Sequence, residues 1–221
     1  MINMEDIFSV KNKVIIITGA GKGIGSMLAD ELLKRSAIVY AIDKTFPKYD
    51  EKKNYFRKKC DITNKIQIEK ICKDIFKNER KIDVLINNAG ITIPNNSSSE
   101  YSLENWKKTL DVNLTGSFLC SQIIGKILKK QHSGSIINMT SINAELGFPN
   151  NPAYVASKGG LKMLTKSLAK DLGKYGIRVN NLGPGYFVTD MTKKSYENKK
   201  SRISRQNHTL LGRWGNVLDL V

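Results

Sequence analysis

The chain has 221 residues, 40% of them hydrophobic, and carries 36 Lys and Arg against 20 Asp and Glu, a formal net charge of +16. This length suits one large soluble domain over residues 1–221, of α/β or β class, better than two small domains. The charge favours anionic partners in general, but it does not distinguish nucleic acid, acidic lipid and anionic metabolites. Because the lysines are scattered along the whole chain, they indicate a composition bias rather than a binding tail.

Cysteine and histidine are too few to build the sites they usually form. The three cysteines are an odd number and none lies in a Cys-x-x-Cys pair, so we expect neither a disulfide framework nor a zinc site. His132 and His208 lie far apart, which disfavours a His-based metal centre and a Ser-His-Asp triad. Residues 1–13 lack an apolar stretch of signal-peptide length, and no apolar run approaches a membrane span. We expect no metal, no membrane contact and a cytoplasmic location.

Short β-branched runs alternate with helical periodicity along most of the chain. Residues 14–17 predict a strand, and a Gly-rich turn joins it to a helix over 24–35. The same rhythm continues through strands 37–42, 55–59, 84–86, 135–140 and 177–182 and helical stretches 66–76, 101–131 and 153–172. A βαβα series predicts an α/β fold, a single Rossmann-type doubly wound parallel sheet with helices on both faces.

Two segments lack a clear pattern. Residues 95–99 are all polar, and residues 191–207 are charged without a clear apolar face, so we expect both to be flexible. After Trp214 the chain stops within what resembles the start of another element. This predicts that a C-terminal strand of the sheet is missing.

The turn after the first strand is rich in glycine and opens the first helix. Its backbone N–H groups and the positive helix end face one point, where a pyrophosphate would be stabilised. The spacing of Gly19, Gly23 and Gly25 fits neither G-x-G-x-x-G nor the G-x-x-x-x-G-K-[ST] loop of ATPases. The turn predicts a dinucleotide site that includes Lys22 and Ile24; the alternative is a turn that only joins strand to helix.

Asp43 ends the second strand, where a carboxylate accepts hydrogen bonds from adenosine ribose hydroxyls and repels a 2′-phosphate. It therefore predicts NAD(H) rather than NADP(H). Lys22 and Lys44 lie nearby in sequence and would partly screen that repulsion. The alternative is an exposed strand-end Asp with no role.

Tyr154 and Lys158 are four residues apart on a predicted helix, so their side chains project from one face. That spacing alone does not select them, because five of the eight tyrosines have a Lys four residues later. Tyr154 alone opens a helix directly after the strand and loop that carry Ser141, on the side of the sheet where ligands of open α/β sheets bind.

The motifs together resemble those of the short-chain dehydrogenase/reductase superfamily, in its classical branch. In chain order they are Thr18-Gly19-x-x-x-Gly23-x-Gly25, Asn87-Asn88-Ala89-Gly90, Asn113, Ser141, Tyr154-x-x-Ser157-Lys158, Asn180 and Pro184-Gly185. The resemblance implies that Asp61 contacts adenine with Ile62 in the same site, and that Asn88, Ala89 and Gly90 back the adenosine. It also implies that Pro184, Gly185 and Thr189 frame the nicotinamide, that Asn113 holds a proton-relay water, and that helices 101–131 and 153–172 form a homodimer or homotetramer.

The chemistry of the implied catalytic residues follows from their acidity. A free tyrosine has a pKa of about 10, and a nearby ammonium such as that of Lys158 stabilises the phenolate and lowers that pKa. Tyr154 would then exchange a proton with the substrate oxygen while hydride moves to or from the nicotinamide. Ser141 would hydrogen-bond the same oxygen, and Lys158 would also bind the ribose hydroxyls.

Within the superfamily the chain is most similar to gluconate 5-dehydrogenase-like members, with 3-oxoacyl acyl-carrier-protein reductases nearly as close. The loop before Tyr154 offers Asn143, Glu145, Asn150 and Asn151 to a polyhydroxylated substrate, although loops are polar in general. We expect NAD(H)-dependent interconversion of a secondary alcohol and a ketone on a sugar or sugar acid. The alternatives are an NADPH-dependent 3-oxoacyl thioester reductase, a basic nucleic-acid-binding protein without a recognisable binding motif, and a non-catalytic scaffold.

Overall fold

A computed structural model of the chain describes residues 8–47, 52–95 and 97–221. Most of segment 1–13 and one residue of segment 95–99 lie outside these residues. Six parallel strands form one sheet in the order β3-β2-β1-β4-β5-β6. Their bounds are β1 Val14–Thr18, β2 Ile38–Asp43, β3 Tyr55–Lys59, β4 Val84–Asn87, β5 Gly134–Met139 and β6 Ile177–Leu182.

Helices connect the strands. They are α1 Gly23–Lys34, α2 Lys65–Glu79, α3 Leu103–Leu110, α4 Ser117–Gln131, α5 Pro152–Gly173, α6 Lys193–Glu197 and α7 Lys199–Asn207. A π-helical turn, Asp111–Gly116, joins α3 to α4, and short 3₁₀ turns lie at Ile142–Ala144 and Val217–Asp219. The helical stretch predicted for 101–131 is therefore interrupted at its centre by a wider turn.

The two faces of the sheet carry separate apolar clusters. Ile15 and Ile17 of β1 pack with α1, whereas Val14 and Ile16 face the opposite side with α2 and α4. Successive strand residues point to opposite faces, so a run that is apolar at every position indicates a sheet covered on both sides. The predicted doubly wound parallel sheet is confirmed.

Segment 191–207, which was expected to be flexible, contains the two helices α6 and α7. The Asn198 side chain accepts a hydrogen bond from the Ser201 N–H and so caps the start of α7. Tyr196 packs edge-on against Trp214, with ring centres 5.1 Å apart. Contacts to a distant part of the chain therefore hold a segment that has no apolar face of its own.

The strand order reverses direction next to β1, which lies between β2 and β4. In open α/β sheets the crevice at the carboxyl ends of such strands is the usual ligand site. The turn after β1 and the loop after β4 meet there with no space between them. A Cβ on Gly19 would lie 2.6 Å from the Ala89 Cα, and Gly19 has a φ of +66°, so only glycine fits.

Candidate active site

The glycine turn after β1 packs tightly against neighbouring parts of the chain. A Cβ on Gly21 would lie 2.3 Å from the Thr45 carbonyl oxygen, and one on Gly25 would lie 2.3 Å from the Gly19 carbonyl oxygen. The N-terminus of α1 has no side-chain cap and no acidic residue in its first turn. Its N–H groups and positive dipole end are therefore available to an anion such as a pyrophosphate.

The end of β2 is fixed to this turn by the carboxylate of Asp43. One oxygen accepts the Gly21 N–H at 2.9 Å, and the other accepts the Thr45 N–H at 3.3 Å. Lys22 forms an exposed ion pair with Asp190 at 3.2 Å. Asp43, which was predicted to bind the ribose hydroxyls, therefore also holds the turn in place.

Asp61 lies after β3, where the Lys44 ammonium pairs with its carboxylate at 2.7 Å. Burial works against ionisation of this carboxyl group, but the bonds from Lys44 and from the backbone and hydroxyl of Thr63 hold its pKa below the ordinary value. Asp61 is thus an ionised acceptor at neutral pH.

A cleft of about 330 Å³ opens over the glycine turn. It brings together most of the predicted cofactor residues: Gly19, Lys22, Gly23, Ile24, Asp43, Asp61, Ile62, Asn88, Ala89, Gly90 and Thr189. The size and lining suit the adenosine and pyrophosphate half of a dinucleotide, so the residues present fit this cofactor. The sequence did not predict Lys108, Val112 and Met191, which also line the cleft, because nothing in their local pattern distinguishes them.

Five predicted cofactor residues are not part of the cleft lining: Gly25, Tyr154, Lys158, Pro184 and Gly185. Gly25 packs under the turn, where an added Cβ would lie 2.4 Å from the Asn88 amide nitrogen. The Pro184 carbonyl accepts the Ile142 N–H at 3.2 Å, which ties the loop after β6 to the loop after β5. Thr189 continues this loop to within 3.7 Å of a Cβ placed on Gly23, so the loop extends over the glycine turn.

Tyr154 and Lys158 share one face of α5, with the Lys158 Nζ 5.8 Å from the centre of the Tyr154 ring. The Lys158 ammonium is 4% exposed and donates to the Met139 carbonyl at 2.7 Å. Burial lowers the pKa of Lys158 to about 8. The lysine is therefore fixed at the carboxyl end of β5, next to the tyrosine.

Burial raises the pKa of Tyr154, and the nearby side chain of Ser141, which begins the loop after β5, opposes this effect only in part. The lowered pKa expected from Lys158 together with an oxidised nicotinamide concerns the complex with cofactor, and it stays a prediction. In the protein without cofactor, desolvation of the phenolate outweighs the other effects.

Asn113 lies fully buried in the π-helical turn. Its amide nitrogen donates to the Ile91 carbonyl and the Ser157 hydroxyl, each at 3.0 Å, and its oxygen accepts the Ile91 N–H at 2.8 Å. Ser157 in turn donates to the Tyr154 carbonyl at 2.7 Å. Asn113 thus holds the loop after β4 against the start of α5; the predicted role with a relay water stays a prediction.

Two negative findings concern only the residues described in this structure. In the ranges 8–47, 52–95 and 97–221, no three His, Cys, Asp or Glu side chains are grouped to hold a metal ion. Within the same part of the chain, no helix combines the length and apolar character needed to cross a bilayer.

A helix N-terminus over the glycine turn, set beside buried Lys158 and partly buried Tyr154, defines a nucleotide-binding oxidoreductase. The family model described as short chain dehydrogenase matches residues 13–200, and the chain belongs to this family. Its members are oxidoreductases that act on CH–OH groups with a nicotinamide dinucleotide.

Individual relatives span nearly the whole chain. It is 34% identical to a 5-keto-D-gluconate 5-reductase of Escherichia coli, over 99% of this chain and 89% of the relative. It is also 34% identical to a 3-oxoacyl acyl-carrier-protein reductase of Staphylococcus epidermidis, over 95% and 88%. A solved gluconate 5-dehydrogenase from Burkholderia cenocepacia, in complex with NADP and tartrate, superposes with a TM-score of 0.90 at 28% identity, covering 99% of this chain and 88% of that one.

Proposed function

We propose that this protein interconverts a ketone and a secondary alcohol on a sugar acid, with Tyr154 as the residue that transfers the proton. The observation that carries the proposal is that buried Lys158 lies next to the Tyr154 ring and that its Nζ is 3.5 Å from a Cβ placed on Gly90, in the lining of the dinucleotide cleft. The similarity to a 5-keto-D-gluconate reductase and to a gluconate 5-dehydrogenase supports the substrate class. The tartrate in the latter structure is itself a hydroxy acid.

A bound nicotinamide dinucleotide supplies or accepts the hydride. The glycine turn and the start of α1 would hold its pyrophosphate, and Asp61 and Ile62 would lie against adenine. Asn88, Ala89 and Gly90 would back the adenosine, whereas Thr189, Pro184 and Gly185 would flank the nicotinamide. The uncapped N-terminus of α1 and the cleft over the glycine turn support this arrangement.

We propose that the protein uses NADP(H), which carries a 2′-phosphate, rather than NAD(H). The expectation of NAD(H) rests on Asp43, whose carboxylate already accepts two backbone N–H groups. Solved relatives that carry NADP favour the other form, for example the Burkholderia enzyme. The Lys22 ion pair with Asp190 is exposed and therefore weak, which leaves Lys22 free to turn toward a 2′-phosphate.

The preference is tested by kcat/KM with NADPH and NADH. We expect Lys22→Gln to lower the NADPH value roughly tenfold with the NADH value unchanged, since it removes one charged hydrogen bond. Lys34→Gln is the matched control, because Lys34 lies at the far end of α1 and pairs with Glu31. A wild-type preference for NADH would contradict the proposal.

Tyr154 is protonated at neutral pH because burial raises its pKa, so it donates its proton to a carbonyl oxygen in the reductive direction. Ser141 would donate a hydrogen bond to the same oxygen as charge develops on it. Lys158 would stabilise the phenolate left on Tyr154 and bind the ribose hydroxyls. Asn113 holds α5 in register with the loop after β4 and so positions both side chains.

Assembly as a homodimer or homotetramer and a cytoplasmic location stay predictions. Phe118 on α4 and Met163 on α5 are exposed apolar residues, and they support contact through these two helices. A monomer in analytical ultracentrifugation would contradict the assembly prediction.

The rival substrate class is a 3-oxoacyl thioester, which the Staphylococcus relative supports. A substrate screen decides between the two classes: 5-keto-D-gluconate and related keto-sugar acids on one side, and acetoacetyl thioesters on the other, each with both cofactors. We expect kcat/KM to be higher for the sugar acids. Much faster reduction of the thioesters would overturn this proposal.

A further inference from the structure

Arg205 on α7 joins the two loops that flank Ser141 and Tyr154. Its guanidinium carbon lies 5.0 Å from the centre of the Tyr186 ring and 5.8 Å from the centre of the Phe148 ring. Phe148 belongs to the loop between Ser141 and Tyr154, and Tyr186 follows Pro184 and Gly185. A single cation therefore contacts both the loop that joins Ser141 to Tyr154 and the loop that follows Pro184.

Tyr186, which Arg205 contacts, is held in place by residues 214 and 215. The Gly215 N–H donates to the Tyr186 carbonyl at 2.8 Å, and the Trp214 ring lies 5.6 Å from the Tyr186 ring. Phe187, the next residue, is buried and fills the space that a Cβ on Gly215 would need. These contacts fix the position of the Tyr186 ring against which the guanidinium packs.

Arg205 has no counter-ion among residues 8–47, 52–95 and 97–221, where no carboxylate lies within 4 Å of its guanidinium. The acidic residues of this side of the molecule are paired with other cations. Glu145 pairs with Lys162, Asp190 with Lys22, Glu197 with Lys193 and Asp219 with Arg213. An anion that neutralises Arg205 must therefore come from outside these residues.

The contacts with the two rings leave the N–H donors of Arg205 available, since its side chain forms no hydrogen bond or ion pair within residues 8–47, 52–95 and 97–221. A guanidinium contacts aromatic rings through its flat face, whereas its N–H donors lie in its plane and form a fork that matches a carboxylate. The aromatic neighbours also limit the water around the charge, which strengthens a bond to an anion. The net charge of +16 attracts anionic metabolites to the protein as a whole.

We propose that Arg205 is the specificity-determining residue that binds the carboxylate of the substrate while its ketone lies at Tyr154 and Ser141. This inference rests on the proposed function and assigns the acid group of the sugar acid to one side chain. It also distinguishes a keto-sugar acid from a neutral ketone or a thioester, which offers Arg205 no carboxylate.

The test compares 5-keto-D-gluconate with its methyl ester, which keeps the ketone and hydroxyls but lacks the charge. Wild type should favour the acid over the ester in kcat/KM by roughly 10- to 100-fold, as expected for a charged hydrogen-bonded pair. Arg205→Gln should remove this preference by raising KM for the acid, with kcat within about threefold. Arg205→Lys should keep part of the preference, because it keeps the charge but loses the fork.

Arg202→Gln is the matched control. Arg202 lies one turn earlier on the same helix and stacks on Tyr196, at 5.4 Å, rather than on the loops beside Ser141. It should leave the preference for the acid unchanged, and all variants should bind NADPH like wild type in a fluorescence titration. Normal NADPH binding shows that a loss of preference does not come from unfolding.

The outcomes separate this inference from the function on which it rests. If wild type reduces the acid but Arg205→Gln keeps the full preference over the ester, the role of Arg205 is wrong and the proposed function stands. An equal loss for acid and ester in Arg205→Gln has the same meaning. If wild type reduces acetoacetyl thioesters and neither sugar derivative, the proposed function fails and the inference fails with it.

Discussion

The catalytic centre and the C-terminal segment 186–219 are held in place by different kinds of interaction. Lys158 and Asn113 are buried, and their polar atoms bond to the ends of strands and to helix α5. In the C-terminal segment, aromatic contacts and cations over rings hold Trp214 and Arg205, with fewer buried residues. The sheet and its connecting helices thus fix the reacting groups, whereas a more exposed segment carries the contact proposed to select the substrate.

The sharpest way to break this comparison is to remove the Tyr154 hydroxyl. Tyr154→Phe should lower kcat by about 10²–10⁴-fold, because it removes the proton donor but leaves the ring in place. Cofactor affinity should stay near wild type. Steady-state kinetics and an NADPH titration measure both quantities.

Tyr196→Phe is the matched control for that variant. Tyr196 also has a lysine four residues later, but it lies in the C-terminal segment and contacts Trp214 through its ring. Its loss of the hydroxyl should change kcat less than about threefold. Equal losses of kcat in the two variants would contradict the assignment of proton transfer to Tyr154.

A substitution in the glycine turn after β1 tests whether this turn is as tightly packed as the catalytic centre. Gly21→Ala would place a Cβ 2.3 Å from the Thr45 carbonyl oxygen and 2.9 Å from the Asp43 carboxylate. The turn must shift, so we expect cofactor affinity to fall by about 100-fold and stability by about 1–3 kcal/mol. Calorimetric titration with NADPH and thermal unfolding report the two effects.

Gly147→Ala provides the comparison in the loop before Tyr154. An added Cβ there meets nothing within 4 Å, so the alanine should leave NADPH affinity unchanged. If Gly147→Ala weakened cofactor binding as much as Gly21→Ala, the proposal that the glycine turn binds the cofactor would be wrong.

The smallest effect concerns the stability cost of the buried lysine. The pKa of Lys158 is about 8 in the folded protein and 10.5 as its ordinary value, so below pH 8 the folded state holds a buried charge. Lys158→Met should raise the free energy of unfolding at pH 7 by about 1–3 kcal/mol. Above pH 8 the folded state releases the proton and the unfolded state keeps it, so wild type gains stability and the difference shrinks toward pH 10.5.

Urea unfolding of the protein without cofactor at pH 7 and pH 10 measures this difference. Lys162→Met, one turn further along α5, is the control because Lys162 is paired with Glu145 and is less buried. Lys162→Met should not raise the free energy of unfolding by a comparable amount. A destabilised Lys158→Met at pH 7 would show that the bond to Met139 outweighs the burial of the charge.

The parts of the fold that the sequence predicts are those in which local pattern and burial agree. Strands Tyr55–Lys59 and Ile177–Leu182 have the predicted bounds, and the apolar run before the glycine turn forms β1. Helices α6 and α7 could not be predicted, since their stability depends on Trp214 and on the Asn198 cap rather than on an apolar face. The π-helical turn at Asn113 also has no periodicity that separates it from the helices around it.

The candidate site shows the same division. Tyr154, Lys158 and the glycines could be selected from motif order, and most of the predicted cofactor residues line one cleft. The direction of the Tyr154 pKa could not be predicted, because it depends on burial that only the packed structure provides. Arg205 was missed because Phe148, Tyr186 and the helix that carries it lie far apart in the chain.

The pH dependence of kcat/KM for ketone reduction tests most directly whether the proton comes from Tyr154. A protonated phenol with a raised pKa predicts a rate that is level through neutral pH and falls at alkaline pH. In Tyr154→Phe the residual rate should keep the fall near pH 8 that deprotonation of Lys158 causes and lose the second fall, which ionisation of the Tyr154 phenol causes at higher pH. A second fall that persists unchanged in Tyr154→Phe would contradict the assignment of the proton to this residue.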